Sequence, residues 1–165
     1  MDFSVEQRFA ADPSTVIALF TNEHFLGSQQ GTEKIGPPTL LERTEDSGII
    51  TLHIRYKFTA ELPDAAARFV DADKMTWVEV TITDVAARRA TTELQPDHYA
   101  GLLQASGSIT YTDDASTPGG TVRMVRGAVD VGVPLFGGRV ERAIIEGLEE
   151  HLTEERTVAA AQLGG

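Results

Sequence analysis

Residues 134–160 read PLFGGRVERAIIEGLEEHLTEERTVAA and decide the fold. After the Gly137-Gly138 pair, apolar residues recur at four-residue steps, the spacing that stacks side chains on one face of an α-helix. These residues are Val140, Ile144, Leu148 and Leu152. The pattern predicts one long amphipathic helix over the last 33 residues, with one face buried against the rest of the chain.

Most of the upstream sequence alternates between apolar and polar residues with period two, which is typical of half-buried strands. In the predicted first strand, residues 2 to 9, Gln7 is the one polar residue on the apolar face. Asp12-Pro13 predicts the start of a short helix, and a second short helix or turn follows at residues 22–26. The predicted later strands comprise a hairpin over 39–58 that turns at 45–48, and strands at 77–85, 90–95, 103–112 and 122–133.

Length and composition limit the possible classes of protein. The 165 residues fit one domain, which we place at residues 1–160 with a frayed tail at 161–165. The formal net charge of -11 argues against nucleic acid and anionic lipid surfaces as partners. Cysteine is absent, no apolar run could span a membrane, and no export signal opens the sequence, so we expect a cytoplasmic protein without stable membrane insertion.

The element order, with a Pro-containing elbow leading into a long closing helix, resembles the helix-grip fold of the START and polyketide-cyclase-like (SRPBCC) superfamily. Residues 62–69, 76–79 and 131–138, together with Glu141, resemble a family known as a domain of unknown function, DUF2505. The resemblance implies an α+β fold in which a curved antiparallel sheet of about seven strands grips the last helix. It also implies an apolar cavity between sheet and helix, which in relatives holds lipids, sterols or polyketides, and it implies no reaction.

Several residues are predicted to face this cavity. Tyr56 and Phe58 share the apolar face of one predicted strand, and Tyr111 lies on that of another; each phenol either lines the cavity or bonds a backbone carbonyl at the sheet edge. A helical wheel places Val140, Ile144, His151 and Val158 at the centre of the apolar arc, with Leu148 and Leu152 on its flank. The predicted ligand-binding set is Tyr56, Phe58, Tyr111, Ile144, Leu148 and His151.

His151 is the one weak candidate for catalysis, because an imidazole can act as acid or base near neutral pH; a core histidine bonded to the sheet is the alternative. Glu155 lies one helical turn further, where we expect it to be solvated. The sequence around this pair matches no known metal-binding spacing, so we expect no metal and no cofactor. His24, His53 and His98 are expected on the surface.

Three other features bear on the predicted site. Trp77 shares its strand face with Glu79, so it is either an outward aromatic patch or an inward side chain. Arg126 could be an inward counter-ion, although a surface arginine is the simpler interpretation. The absence of a Gly-x-Ser-x-Gly elbow and of cysteine disfavours covalent hydrolysis, and the Gly137-Gly138 pair is explained by a tight elbow rather than an anion site.

These observations predict binding or carriage of a small apolar molecule, lipid-like or aromatic, in a cavity closed by residues 62–70. One alternative is an enzyme of cyclase or dehydratase type, with His151 as acid or base and Tyr56 or Tyr111 as an oxyanion donor. The other alternative is a protein-interaction module with a vestigial cavity, which would use the acidic surface or an exposed Trp77.

Overall fold

A computed structural model describes residues 1–59, 61, 71–133 and 137–164. It contains a seven-stranded sheet, two short helices and one long helix. The strands are β1 Asp2–Phe9, β2 Thr39–Asp46, β3 Ile49–Lys57, β4 Thr76–Asp84, β5 Arg89–Pro96, β6 Leu103–Asp113 and β7 Thr121–Val131. The α-helices are α1 Pro13–Phe20, α2 Glu23–Gly27 and α3 Gly137–Gln162, and a 3-10 turn spans Ala72–Lys74.

The sheet is antiparallel throughout, in the order β1-β7-β6-β5-β4-β3-β2. Strands β2 to β7 follow one another in space as they do in sequence, while β1 pairs with β7 at one edge. The predicted hairpin between β2 and β3 is confirmed. Its two turn residues, Ser47 and Gly48, have φ values of 50° and 81°, the positive values that a tight turn between twisted strands requires.

Both short helices begin at the residues that the sequence indicates. The Asp12 carboxylate accepts hydrogen bonds from the backbone N–H groups of Ser14 and Thr15, at 2.9 and 3.2 Å, and Pro13 occupies the first turn. Asn22 caps α2 in the same way, accepting from His24 and Phe25. These caps turn the chain back after β1, so that the apolar faces of α1 and α2 pack into the main core.

The burial pattern along each strand identifies which side chains lie on the concave face of the sheet. On β3, Leu52, Ile54 and Tyr56 are buried while the intervening residues are not, as predicted. On β4 the apolar residues Val78, Val80 and Ile82 lie on the outer face, where Ile82 is 45% exposed. The inner face of β4 carries Trp77, Glu79, Thr81 and Thr83 instead.

Helix α3 packs across β1 and β7. Its buried side chains include Ile145, His151, Leu152 and Glu155, and Ala159 is fully buried near its C-terminal end. The predicted single long helix over the concave side of a curved sheet is therefore confirmed. Gly127 of β7 makes room for the Phe3 ring, since a methyl group there would lie 2.7 Å from that ring.

Two predictions fall on residues that the structure does not describe. The closing segment at residues 62–70 and the Pro134-Leu135-Phe136 part of the elbow lie outside the described residues. Among the helices of the described residues, none has the length and hydropathy needed to cross a membrane.

Candidate functional site

A cavity of about 120 Å³ lies between the concave face of the sheet and α3. Aliphatic and aromatic side chains form most of its wall, because the inward faces of β3 to β7 and the apolar stripe of α3 meet there. The apolar wall includes Phe3, Phe58, Trp77, Leu94, Leu103, Ile109, Val125, Val129, Ile144 and Leu148. A second cavity of about 50 Å³ adjoins the first and shares Met75, Trp77, Leu103 and Ile144 with it.

Three aromatic rings form one side of the main cavity. Tyr56 and Trp77, which face each other across β3 and β4, stack with their ring centroids 5.8 Å apart and an interplanar angle of 20°. The ring of His151 on α3 meets Tyr56 edge-to-face, at a centroid distance of 5.7 Å. Burial raises the pKa of the Tyr56 phenol well above its ordinary value, so the hydroxyl stays neutral and can donate a hydrogen bond.

A buried ion pair forms a polar part of the cavity wall. Arg123 of β7 points inward, and its Nη1 donates a 3.0 Å hydrogen bond to the Glu155 carboxylate on α3. The same Nη1 also donates to the side-chain oxygen of Gln7 on β1. The Gln7 amide in turn donates to the backbone carbonyl of Leu152, at 2.6 Å. Gln7 and Arg123 therefore connect the first strand, the last strand and the helix.

The surroundings of Arg123 stabilise its positive charge. Burial is the largest single influence and opposes that charge, but Glu155, Tyr111 and Glu79 together outweigh it, so the pKa of Arg123 lies above its ordinary value. The guanidinium also lies over the Phe20 ring, at 4.1 Å from the ring centroid. Its Nε is buried and has no hydrogen-bond partner among the described residues. A buried donor without a partner costs free energy.

A second acidic side chain borders the same cavity. The carboxylate of Glu79 on β4 accepts a 3.1 Å hydrogen bond from the Thr81 hydroxyl. Burial raises the pKa of Glu79; the Glu155 charge adds to this shift, while the Thr81 hydrogen bond and Arg123 oppose it. The polar part of the wall thus holds the Arg123 cation, its paired carboxylate, and a carboxyl that resists ionisation.

Five of the six predicted ligand-binding residues lie in the cavity wall: Tyr56, Phe58, Ile144, Leu148 and His151. The wall does not include Tyr111, which is buried and whose ring centroid is 6.0 Å from the Arg123 guanidinium. Tyr56 is therefore the tyrosine that shares the cavity with His151. Their roles in binding or catalysis stay predictions.

The sequence left the orientations of Trp77 and Arg126 open, and the structure places the two side chains differently. Trp77 points into the cavity. Arg126 borders the cavity as well, but it is exposed, and Arg123 provides the buried positive charge. The expectation that Glu155 is solvated is wrong: its side chain is 9% exposed, because the ion pair with Arg123 draws it into the interior. His24 and His98 are exposed, as expected.

Sequence reasoning missed Arg123 and Glu79 as members of the site. Both had a signal in the strand alternation, since Arg123 shares parity with Val125 and Val129, and Glu79 shares parity with Trp77. The alternation shows Gln7 as the polar exception on β1, but nothing in the sequence indicates its partners. Within the described ranges, no group of three or more His, Asp or Glu side chains could hold a metal ion.

Comparison with known proteins identifies the fold and the family. Comparison with curated proteins gives no significant match. Solved structures similar to this chain include protein TTHA0849 from Thermus thermophilus, at a TM-score of 0.67 and 14% identity, covering 98% of this chain and 99% of that chain. Another is a START superfamily protein from Mycobacterium smegmatis, at a TM-score of 0.57 and 20% identity, covering 98% of both chains.

A third is protein CV1439 from Chromobacterium violaceum, at a TM-score of 0.59 and 14% identity, covering 96% of both chains. These similarities establish the helix-grip fold, and at such identities they establish the fold alone. That fold is compatible with small-molecule binding. The model of the family described as "Protein of unknown function (DUF2505)" matches residues 4–163, and the chain belongs to that family.

Proposed function

We propose that this protein binds a small, largely apolar molecule, lipid-like or aromatic, in the cavity beneath α3. The observation that carries the proposal is the unfilled volume of about 120 Å³ inside a wall made mostly of apolar side chains. Protein cores are normally packed without such voids, since an empty cavity costs stability. A void of this kind, kept between two well-packed layers, favours a ligand as its occupant.

The size of the cavity limits the ligand. An apolar cavity of about 150 Å³ engineered in another protein binds benzene, so the main cavity suits a group of about one ring. Burying about 150 Å² of apolar ligand surface at 25 cal/mol per Å² supplies at most about 4 kcal/mol, which corresponds to a millimolar dissociation constant. Extension of the ligand into the adjoining cavity would bury more surface and bind more tightly.

The proposal is tested by native mass spectrometry of protein purified gently from its expression host. We expect a co-purified apolar molecule in the wild type. The Leu148→Trp variant, whose larger side chain fills the cavity, should not retain it. Glu149→Trp adds the same side chain at an exposed position of the same helix and should retain the molecule. Equal retention in both variants contradicts the proposal, as does a wild-type protein that neither retains a molecule nor binds an added one-ring hydrocarbon at millimolar concentration.

A second candidate function is acid–base catalysis of cyclase or dehydratase type. The observation that favours it is the edge-to-face contact between Tyr56 and His151 in the same cavity, which brings a neutral phenol and an imidazole to one ligand. If the protein is such an enzyme, His151→Gln and Tyr56→Phe each leave ligand retention intact and abolish conversion of the retained molecule. Conversion that persists in both variants contradicts this candidate.

A further inference from the structure

The guanidinium of Arg123 is only partly satisfied. Both hydrogen bonds that it makes to Gln7 and Glu155 leave from Nη1. Its Nε lacks a partner among the described residues, although the side chain is only 6% exposed. Arginine carries five N–H donors, and it borders the cavity here. The polar part of the cavity wall therefore includes a charged donor group whose hydrogen-bonding capacity is not used up by Gln7 and Glu155.

The charge of the guanidinium, in contrast, is already balanced. Glu155 lies 3.0 Å away and is itself buried, so the ion pair is neutral as a unit. A ligand carboxylate placed against Arg123 would bring a second negative charge close to Glu155, with Glu79 in the same cavity wall. Like charges in a buried site repel strongly. The site thus needs an acceptor atom without a formal charge.

We propose that the molecule bound in the cavity is an uncharged oxygen-bearing apolar compound, such as a ketone, ester or ether, whose oxygen accepts a hydrogen bond from Arg123. This inference rests on the proposed binding function and specifies the class of ligand. The aromatic side formed by Tyr56 and Trp77 would hold the apolar body. Gln7 is a positioning residue, because it fixes Nη1 and leaves the rest of the guanidinium to the ligand.

Three small compounds of nearly equal shape separate the possibilities: α-methylstyrene, acetophenone and benzoate. They differ in one group, which is a methylene, a carbonyl oxygen or a carboxylate. Binding is measured by titration with observation of backbone amide signals and of the arginine Nε–H signals by NMR. We expect acetophenone to bind about tenfold or more tightly than α-methylstyrene, as a hydrogen bond from a charged donor predicts. Benzoate should bind most weakly.

A double variant tests the assignment to Arg123. Arg123→Met combined with Glu155→Leu removes both charges together and keeps the volume similar, which avoids an unpaired buried charge. This variant should lose the preference for acetophenone and keep the affinity for α-methylstyrene. The Nε–H signal that disappears in the variant identifies Arg123, and in the wild type that signal should move with acetophenone.

The failures are distinguishable. Equal affinities for acetophenone and α-methylstyrene in the wild type overturn the ligand class and leave apolar binding intact. Tightest binding of benzoate overturns it in favour of an anionic ligand. If none of the three compounds binds, the proposed function fails for a one-ring ligand, and the ligand class fails with it. These wild-type comparisons hold even if the double variant does not fold.

Discussion

The guanidinium of Arg123 lies 3.0 Å from the carboxylate of Glu155, and both side chains are buried, at 6% and 9% exposure. The two residues are 32 positions apart in the sequence, on β7 and α3. Their contact places a neutral ion pair in the wall of an otherwise apolar cavity. It also fixes α3 to the edge of the sheet formed by β1 and β7, because Gln7 joins the same network.

The ion pair predicts strongly non-additive effects on stability. Arg123→Met and Glu155→Leu each leave one buried charge without its partner, and we expect each to lower the free energy of unfolding by about 3–5 kcal/mol. The double variant should lie within about 1 kcal/mol of the wild type or above it, because both charges leave together. Urea unfolding of the four proteins measures the cycle. A double variant as unstable as the sum of the single variants contradicts the prediction.

Gln7 should contribute to stability through its hydrogen bonds. Gln7→Leu conserves most of the volume but removes both bonds and leaves the Leu152 carbonyl without this donor. We expect a loss of about 1–3 kcal/mol in the free energy of unfolding. Gln104→Leu, the same change at an exposed position of β6, should stay within about 0.5 kcal/mol of the wild type. Similar losses in both variants would show that the network does not stabilise the fold.

Glu79 predicts a pH dependence of definite sign. Burial raises its pKa in the folded state above the ordinary value of 4.5. The folded state therefore favours the protonated carboxyl, and this contribution is lost as pH rises through the raised pKa. Glu79→Gln cannot ionise, so it should match the wild type at low pH and become the more stable protein as pH rises. Unfolding free energies measured across the acid-to-neutral range test this, and a pH-independent difference contradicts it.

Asp114 predicts a pH dependence of the opposite sign and serves as a control for Glu79. Hydrogen bonds from the Ser116 hydroxyl and backbone N–H, with a further one from Arg8, lower its pKa to about 2. Its stabilising contribution is present above the ordinary value of 3.8 and is lost as pH falls toward 2. Asp114→Asn should therefore be less stable than the wild type at neutral pH and approach it in acid. Comparison of Glu79→Gln with Asp114→Asn thus separates the effect of ionising the buried Glu79 carboxyl from the general loss of stability in acid.

Trp77 is the single tryptophan of the sequence and faces the cavity, so its fluorescence should report occupancy. Titration with α-methylstyrene should change its emission in a saturable way, because the bound compound changes the polarity of the environment around the indole. A matched reporter combines Trp77→Phe with Val80→Trp, which moves the indole to the outer face of the same strand. This second reporter should show no saturable change, and a response equal to that of the wild type would place binding elsewhere.

Much of the fold could be predicted because its determinants are local. The Asp12-Pro13 and Asn22 caps, the Ser47-Gly48 turn and the alternation on β3 and β6 each act within a few residues. The four-residue spacing on α3 predicts an apolar face that must be buried. The alternating strands predict the antiparallel sheet against which that face packs. These elements place five of the six predicted residues in one cavity wall.

The sequence by itself determined which segments become strands and helices, since periodicity and capping are properties of neighbouring residues. Only the tertiary structure decided which face of β4 turns inward. Strand alternation groups Trp77 with Glu79 and Val78 with Val80, but which pair faces the cavity depends on how the whole sheet curves around the helix. The tertiary structure also decided that Arg123 and Glu155 are buried. A charge enters the interior only with its partner, and that partner lies in a distant part of the chain.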